Sequence, residues 1–194
     1  MHGSLPLVSG NVLSKITLFS LNRVIFFPFQ ANRKLAMDKR DISILRALQD
    51  DGRTTNTALS KQLNIAEAPT WRRVKALEDA GLITGYRAVL NQHALGYEVT
   101  AFVRIRFSSH DPKLQAAFEA QVLQISEVVW CHNVSGNTDF LLCVVARNLQ
   151  EYGQFVSARL RVLPGVTSIE SSFSLKAVKD GGKLPIGQIG LQKR

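Results

Sequence analysis

Residues Ala66 to Gly81 read AEAPTWRRVKALEDAG, and this stretch decides the fold. Wound at 3.6 residues per turn, it places Thr70, Val74 and Leu77 in one stripe. Ala68, Arg72, Lys75 and Asp79 fall on the opposite side, with Trp71 and Arg73 on the flanks. Pro69 lies in the first turn, where a missing N–H costs nothing, and Gly81 suits the position just past the end. The spacing predicts a short helix from Glu67 with a small residue leading and basic residues outward, the shape a DNA major groove admits. A solvated surface helix has the same pattern, so the flanking segments decide.

Upstream, Asp38 is a candidate N-cap with Asp41 three residues on, and Ile44, Leu45 and Leu48 give a helix over about 39–49. Asp50-Asp51-Gly52 is a turn, Thr55 caps a second short helix holding Leu59 and Leu63, and Asn64 tolerates the left-handed backbone of a tight connection. Three helices in some forty residues, the last two joined by a very short turn, form a helix-turn-helix. Downstream, Leu82-Ile83 and Tyr86–Leu90 alternate as a small β wing bent at Gly85.

A second domain follows a polar hinge at residues 91–97. Val99 to Phe107 alternate as a strand with one buried face; Asp111-Pro112 opens a helix lined by Leu114, Ala117, Phe118 and Val122. Val128, Trp130, His132 and Val134 alternate on a second strand. Gly136-Asn137 is a turn, and Phe140 to Ala146 is an unbroken apolar run, as a central strand requires. Tyr152, Phe155, Val156, Leu160 and Val162 make another helix, closed by Pro164-Gly165, and the last strand region spans 166–178. The order β-α-β-β-α-β is the ferredoxin-like split βαβ arrangement, so the fold class is α+β. Helices on one sheet face leave the other for a partner, most simply a second copy.

The 194 residues, 45% hydrophobic, suit one or two small domains. Formal net charge is +9, contributed as +4 by residues 1–36, +2 by 37–90, 0 by 91–176 and +3 by 177–194. A basic balance favours an acidic partner, though both ends hold most of it. Cys131 and Cys143 give neither metal-ligand spacing nor a disulfide framework, and no nucleotide-binding or zinc-protease motif is present. Residues 1–36 have no acidic residue and no clean period, and Lys15, Asn22, Arg23 and Pro28 interrupt their apolar run. They are read as a disordered extension before a folded chain that starts at Met37, with an amphipathic membrane anchor as the alternative. Residues 179–194 read as a flexible basic tail, inert or touching phosphates.

Residues 37–96 resemble the DNA-binding half of the leucine-responsive/asparagine (Lrp/AsnC) regulators. The resemblance rests on D-x-x-x-L in the first helix, DGR at Asp51–Arg53, RRVKALE at Arg72–Glu78 and G-L-I-x-G-Y at Gly81–Tyr86. One position departs: the family usually opens the recognition helix with Ser, and here Ala66 stands there, which weakens the cap. The resemblance implies that Arg72 and Lys75 reach DNA, with Glu67, Ala68 and Trp71 nearer base edges and Arg53 at a phosphate. Arg73 has two readings, a phosphate contact or an internal salt bridge. Trp71 has a packing alternative, and Lys75 that of a solvated lysine.

The second half is similar to the effector-sensing domain of the same family through V-S-G-x-x-D, Val134 to Asp139. The resemblance implies a site at Gly136, Asn137, Thr138 and Asp139 for a small amino acid, near an interface between dimers, with Trp130, His132 and Tyr152 as walls or as core. The alternative for the same residues is a hairpin stapled by Asp139.

These readings converge on a cytoplasmic, DNA-binding transcriptional regulator responsive to an amino acid or related metabolite, without cofactor, metal or catalytic role. Its partners would be double-stranded DNA, the effector and itself, as a homodimer and higher assemblies such as a tetramer or octamer. An architectural DNA binder without effector response shares the same DNA-binding helix. Sirohaem decarboxylases also resemble this fold and have a His-Asn pair followed by a second His. Here His132-Asn133 is followed by VSGNTDFLLCV, with no second His.

Overall fold

The computed structural model describes residues 37–108 and 111–186, so the expectations for residues 1–36 and 187–194 lie outside the described residues. Helix α1, Lys39–Asp50, starts on a reciprocal cap. The Asp38 carboxylate accepts from the Arg40 and Asp41 amides at 2.8 and 3.0 Å, and the Asp41 carboxylate accepts from the Asp38 amide at 2.9 Å. Helix α2, Asn56–Leu63, is capped by Thr55, whose hydroxyl accepts from the Ala58 amide at 3.1 Å. Asn64 then takes φ 51°, turning the chain into α3, Glu67–Asp79, in the space of three residues. Ile44, Ala47, Leu59, Val74 and Leu77 form the buried centre of the three helices. Thr70 is fully buried among them, its hydroxyl spent on the Ala66 carbonyl at 3.0 Å.

Downstream of α3 the two runs expected to form the wing are not paired as strands among the described residues. Residues 84–90 run without regular secondary structure, and Val89 is 100% exposed. Runs of two and five residues make too short a ribbon to hold itself in water. What anchors this segment is local. The Leu82 and Ile83 amides donate to the Leu77 carbonyl at 3.0 and 3.2 Å, and the Tyr86 hydroxyl donates to Glu78 at 3.0 Å.

The second domain has the expected order: β1 (Val99–Phe107), α4 (Pro112–Val122), β2 (Val128–Asn133), β3 (Phe140–Ala146), α5 (Leu149–Phe155) and β4 (Val166–Phe173). A π-helical turn, Val156–Leu160, extends α5. The sheet runs β2-β3-β1-β4, antiparallel throughout. Ala101, Val103 and Ile105 of β1 with Leu142 and Val144 of β3 face the helices, which bury Phe118, Tyr152, Phe155 and Leu160 against them. The alternation expected on β2 is broken. A register shift between Val128 and Trp130 keeps Val128 opposite Val144 on the helix side and moves Trp130 opposite Cys143. Trp130 and His132 therefore lie on the far face, beside Phe102.

The last strand ends at Phe173, five residues short of the expected boundary. Ser174 still donates its amide to the Thr100 carbonyl at 2.9 Å, and the chain then turns back toward the first domain. Residues 183–186, read from sequence as part of a loose tail, dock on α1 through Gln49 and Asp50, and Ile186 is buried.

Candidate nucleic-acid interface and effector loop

The outward side of α3 is built by subtraction. Thr70, Val74 and Leu77 are consumed by the core, leaving Ala68, Trp71, Arg72 and Lys75 exposed, Trp71 by 55%. The side chains of Arg72 and Arg53 make no hydrogen bond or ion pair among the described residues. Two guanidinium groups without internal partners, one on α3 and one in the turn that leads into α2, suit phosphate or guanine-edge contacts. Lys75 is tied to Asp79 at 2.7 Å, a hydrogen bond that raises its pKa, yet the pair is exposed and open to exchange with a phosphate.

Two residues of the set are engaged inside the domain. Glu67 accepts from the Thr57 hydroxyl of α2, so the first turn of α3 is held to the helix before it. Thr57 was not legible as a site residue, because the contact exists only once the turn at Asn64 brings the helices together. Arg73 adopts the internal salt bridge of its two readings. Its Nη1 lies 2.6 Å from Asp41 Oδ1 and 2.9 Å from Asp38 Oδ2, and the hydrogen bond to Asp41 raises its pKa. It staples α3 to the N-terminal cap of α1. Ala66 has extended backbone suited to an N-cap, φ −61° and ψ 149°, but makes no side-chain cap.

The loop at Val134–Asp139 is braced against the end of β1. The Asp139 carboxylate accepts from the Phe107 amide at 2.8 Å, its own amide donates to the Ile105 carbonyl at 2.9 Å, and its carbonyl accepts from the Val134 amide at 3.0 Å. The Thr138 hydroxyl lies 3.0 and 3.1 Å from the Ile105 and Phe140 carbonyls. Asp139 and Thr138 thus show the stapling alternative, while Gly136, at φ 117°, and Asn137 stand at solvent. Of the suggested walls, Tyr152 is core, its hydroxyl bonded to Ser171 at 2.5 Å, and Trp130 and His132 are on the opposite sheet face. A cavity of about 270 Å³ lies instead at the hinge end of the sheet, bounded by Tyr97, Glu127, Arg147, Glu151 and Phe155. Burial pushes the Cys131 thiol up to about 11, which keeps it protonated and unreactive at neutral pH.

Two family models match: "Winged helix-turn-helix DNA-binding" over residues 37–84 and "Lrp/AsnC ligand binding domain" over residues 100–184. A leucine-responsive regulatory protein of Rhizobium meliloti (strain 1021) is 39% identical over 153 residues, covering 79% of this chain and 98% of that protein. Among solved structures, a Neisseria meningitidis transcriptional regulator in complex with L-Met superposes with TM-score 0.74 at 35% identity, covering 77% of this chain and 97% of that one. An AsnC family transcriptional regulator from Agrobacterium tumefaciens gives TM-score 0.74 at 31% identity, over 79% and 99%.

Proposed function

The chain belongs to the Lrp/AsnC family of transcriptional regulators, and from that membership we propose that it reads operator DNA with Arg72, Trp71, Ala68 and Lys75, supported by Arg53. The observation behind this reading is that Arg72 on α3 and Arg53 in the turn before α2 are exposed cations with no partner among the described residues. Glu67 and Arg73 hold α3 in place rather than touch bases.

The effector in this proposal is a small amino acid, as in the L-Met complex of the meningococcal relative. It takes the loop at Gly136–Asp139, where Gly136 lets a ligand approach the backbone and Asn137 offers an amide. Copies associate through the sheet face that carries Phe102 and Trp130, and the effector biases that assembly. The hinge-end cavity supports a second placement, since Glu151 and Glu127 with Arg147 offer both charges an amino acid needs. The regulator works in the cytoplasm without catalysis; among the described residues no helix is long and apolar enough to cross a membrane.

A mobility-shift titration on DNA upstream of its own gene, at two salt concentrations and with an amino-acid panel, tests this. Specific, salt-sensitive binding altered by an amino acid supports it. Sequence-blind binding unmoved by every amino acid returns the chain to the architectural reading. Asn137→Ala and Arg147→Ala then separate the two effector placements, since only the variant at the true site loses the response.

A further inference from the structure

We propose that residues Ser174–Ile186 are a second tether between the two domains, and that Gln49 is a positioning residue for DNA binding. The covalent hinge offers little regular structure to hold the orientation of α3. Its segment 84–90 has no ladder partner among the described residues, and Val89 and Leu90 are 100% and 69% exposed. The returning strap supplies what the hinge lacks. Its start is pinned to the sheet where the Ser174 amide donates to the Thr100 carbonyl.

Its end is pinned to α1 by a two-way amide pair. Gln49 Nε2 donates to the Leu184 carbonyl and the Leu184 amide donates to Gln49 Oε1, both at 3.0 Å. Lys183 adds an ion pair to Asp50 at 2.5 Å. Pro185 keeps Leu184 extended, the conformation in which its amide and carbonyl can both reach one side chain. From α1 the connection continues through Asp38 and Asp41 to Arg73, and so into the recognition helix. Sheet, strap, α1 and α3 thus form one contiguous set of bonds, and a shift of the sheet domain has a direct route to the DNA-reading helix. This rests on the reading of the chain as a DNA-binding regulator.

The test uses the full chain with Gln49→Ala, which removes both amide bonds at once, and a second variant ending at Asp180, which leaves α1 untouched. Spin labels at Lys61→Cys on α2 and Lys113→Cys on α4, in a Cys131→Ala, Cys143→Ala background, report the distance between domains. A narrow distribution in the parent that broadens in both variants is expected. Operator affinity should fall about five- to tenfold, the worth of one or two modest hydrogen bonds. For Gln49→Ala the dependence on salt should be unchanged, because no phosphate contact is lost. A parent distribution as broad as that of the variants, or unchanged affinity in both, overturns the proposal. So does a loss confined to the truncated chain with a shallower salt slope, which would make the tail a phosphate-binding arm. If the parent binds no DNA, the regulator reading fails while the distance measurement still decides whether the strap is a tether.

Discussion

Arg72 and Arg73 are neighbours of identical chemistry with opposite surroundings, and the contrast is measurable. Arg72 is exposed and unpartnered among the described residues; Arg73 is stapled to Asp38 and Asp41. Arg72→Ala should weaken operator binding and shrink the salt slope by about one, with the unfolding midpoint unchanged. Arg73→Ala should cost about 1–3 kcal/mol of stability in urea titration, because it strips the buried Asp41 of its charge-assisted bond. Acid should act on the same staple. Desolvation alone would raise the Asp38 carboxyl, but the Asp41 amide and the Arg73 charge outweigh it and hold the carboxyl below its ordinary value. A carboxylate whose folded pKa is depressed stabilises the fold above its unfolded pKa, and that stability is lost as pH falls through the folded value. Unfolding midpoints should therefore drop below about pH 4, and less steeply in Asp38→Asn. At Ala66 the change runs the other way. The backbone already has cap geometry, so Ala66→Ser should stabilise the first domain by about 0.5–1 kcal/mol, read as a higher denaturant midpoint.

At the scale of elements, much was legible because period and cap agree in the same residues. Asp38, Thr55, Asn64 and Gly81 mark the three-helix boundaries, and each takes the backbone role its residue type suggests. The β-α-β-β-α-β order followed from alternation in β1 and the unbroken run of β3. Three features were not legible, each for a stated reason. The β2 register shift depends on cross-strand pairing, which a one-dimensional alternation does not encode. The strand pairing of the wing was expected from local pattern, but a ribbon needs more backbone partners than this segment finds among the described residues. The docking of Leu184 on Gln49 spans 135 positions and leaves no local signature. Of the candidate site, the residue types of α3 were readable, but not the sorting of Arg72 from Arg73, which only the position of α1 decides. Gly165 gives an element-level check. It enters β4 at φ 78°, and a Cβ there would sit 3.2 Å from the Phe107 ring. Gly165→Ala combines strained backbone with overpacking, so a loss of about 1–3 kcal/mol is expected in thermal or urea unfolding.

For the whole molecule, the question is what covers the sheet face opposite the helices. Phe102 is 37% exposed there, its ring centroid 6.1 Å from that of Trp130 two strands away. Arg104, bonded to Glu170 and Ser172 at 3.4 and 3.2 Å, borders the apolar patch on the β4 side. An apolar centre with a polar border is the composition of a protein–protein contact, and a two-fold axis would set the patch against itself. Phe102→Glu would then place two carboxylates near that axis. Dissociation measured by sedimentation equilibrium should rise at least about a hundredfold, or ~2.7 kcal/mol. Stability of the isolated fold should barely change, because the side chain points away from the buried core. A dimer holds two recognition helices at a fixed spacing, so the variant should also lose affinity for a paired operator while keeping that of each half-site. If sedimentation is unaltered by Phe102→Glu, this sheet face is not the contact, and the exposed segment at Val89 and Leu90 becomes the surface to substitute next.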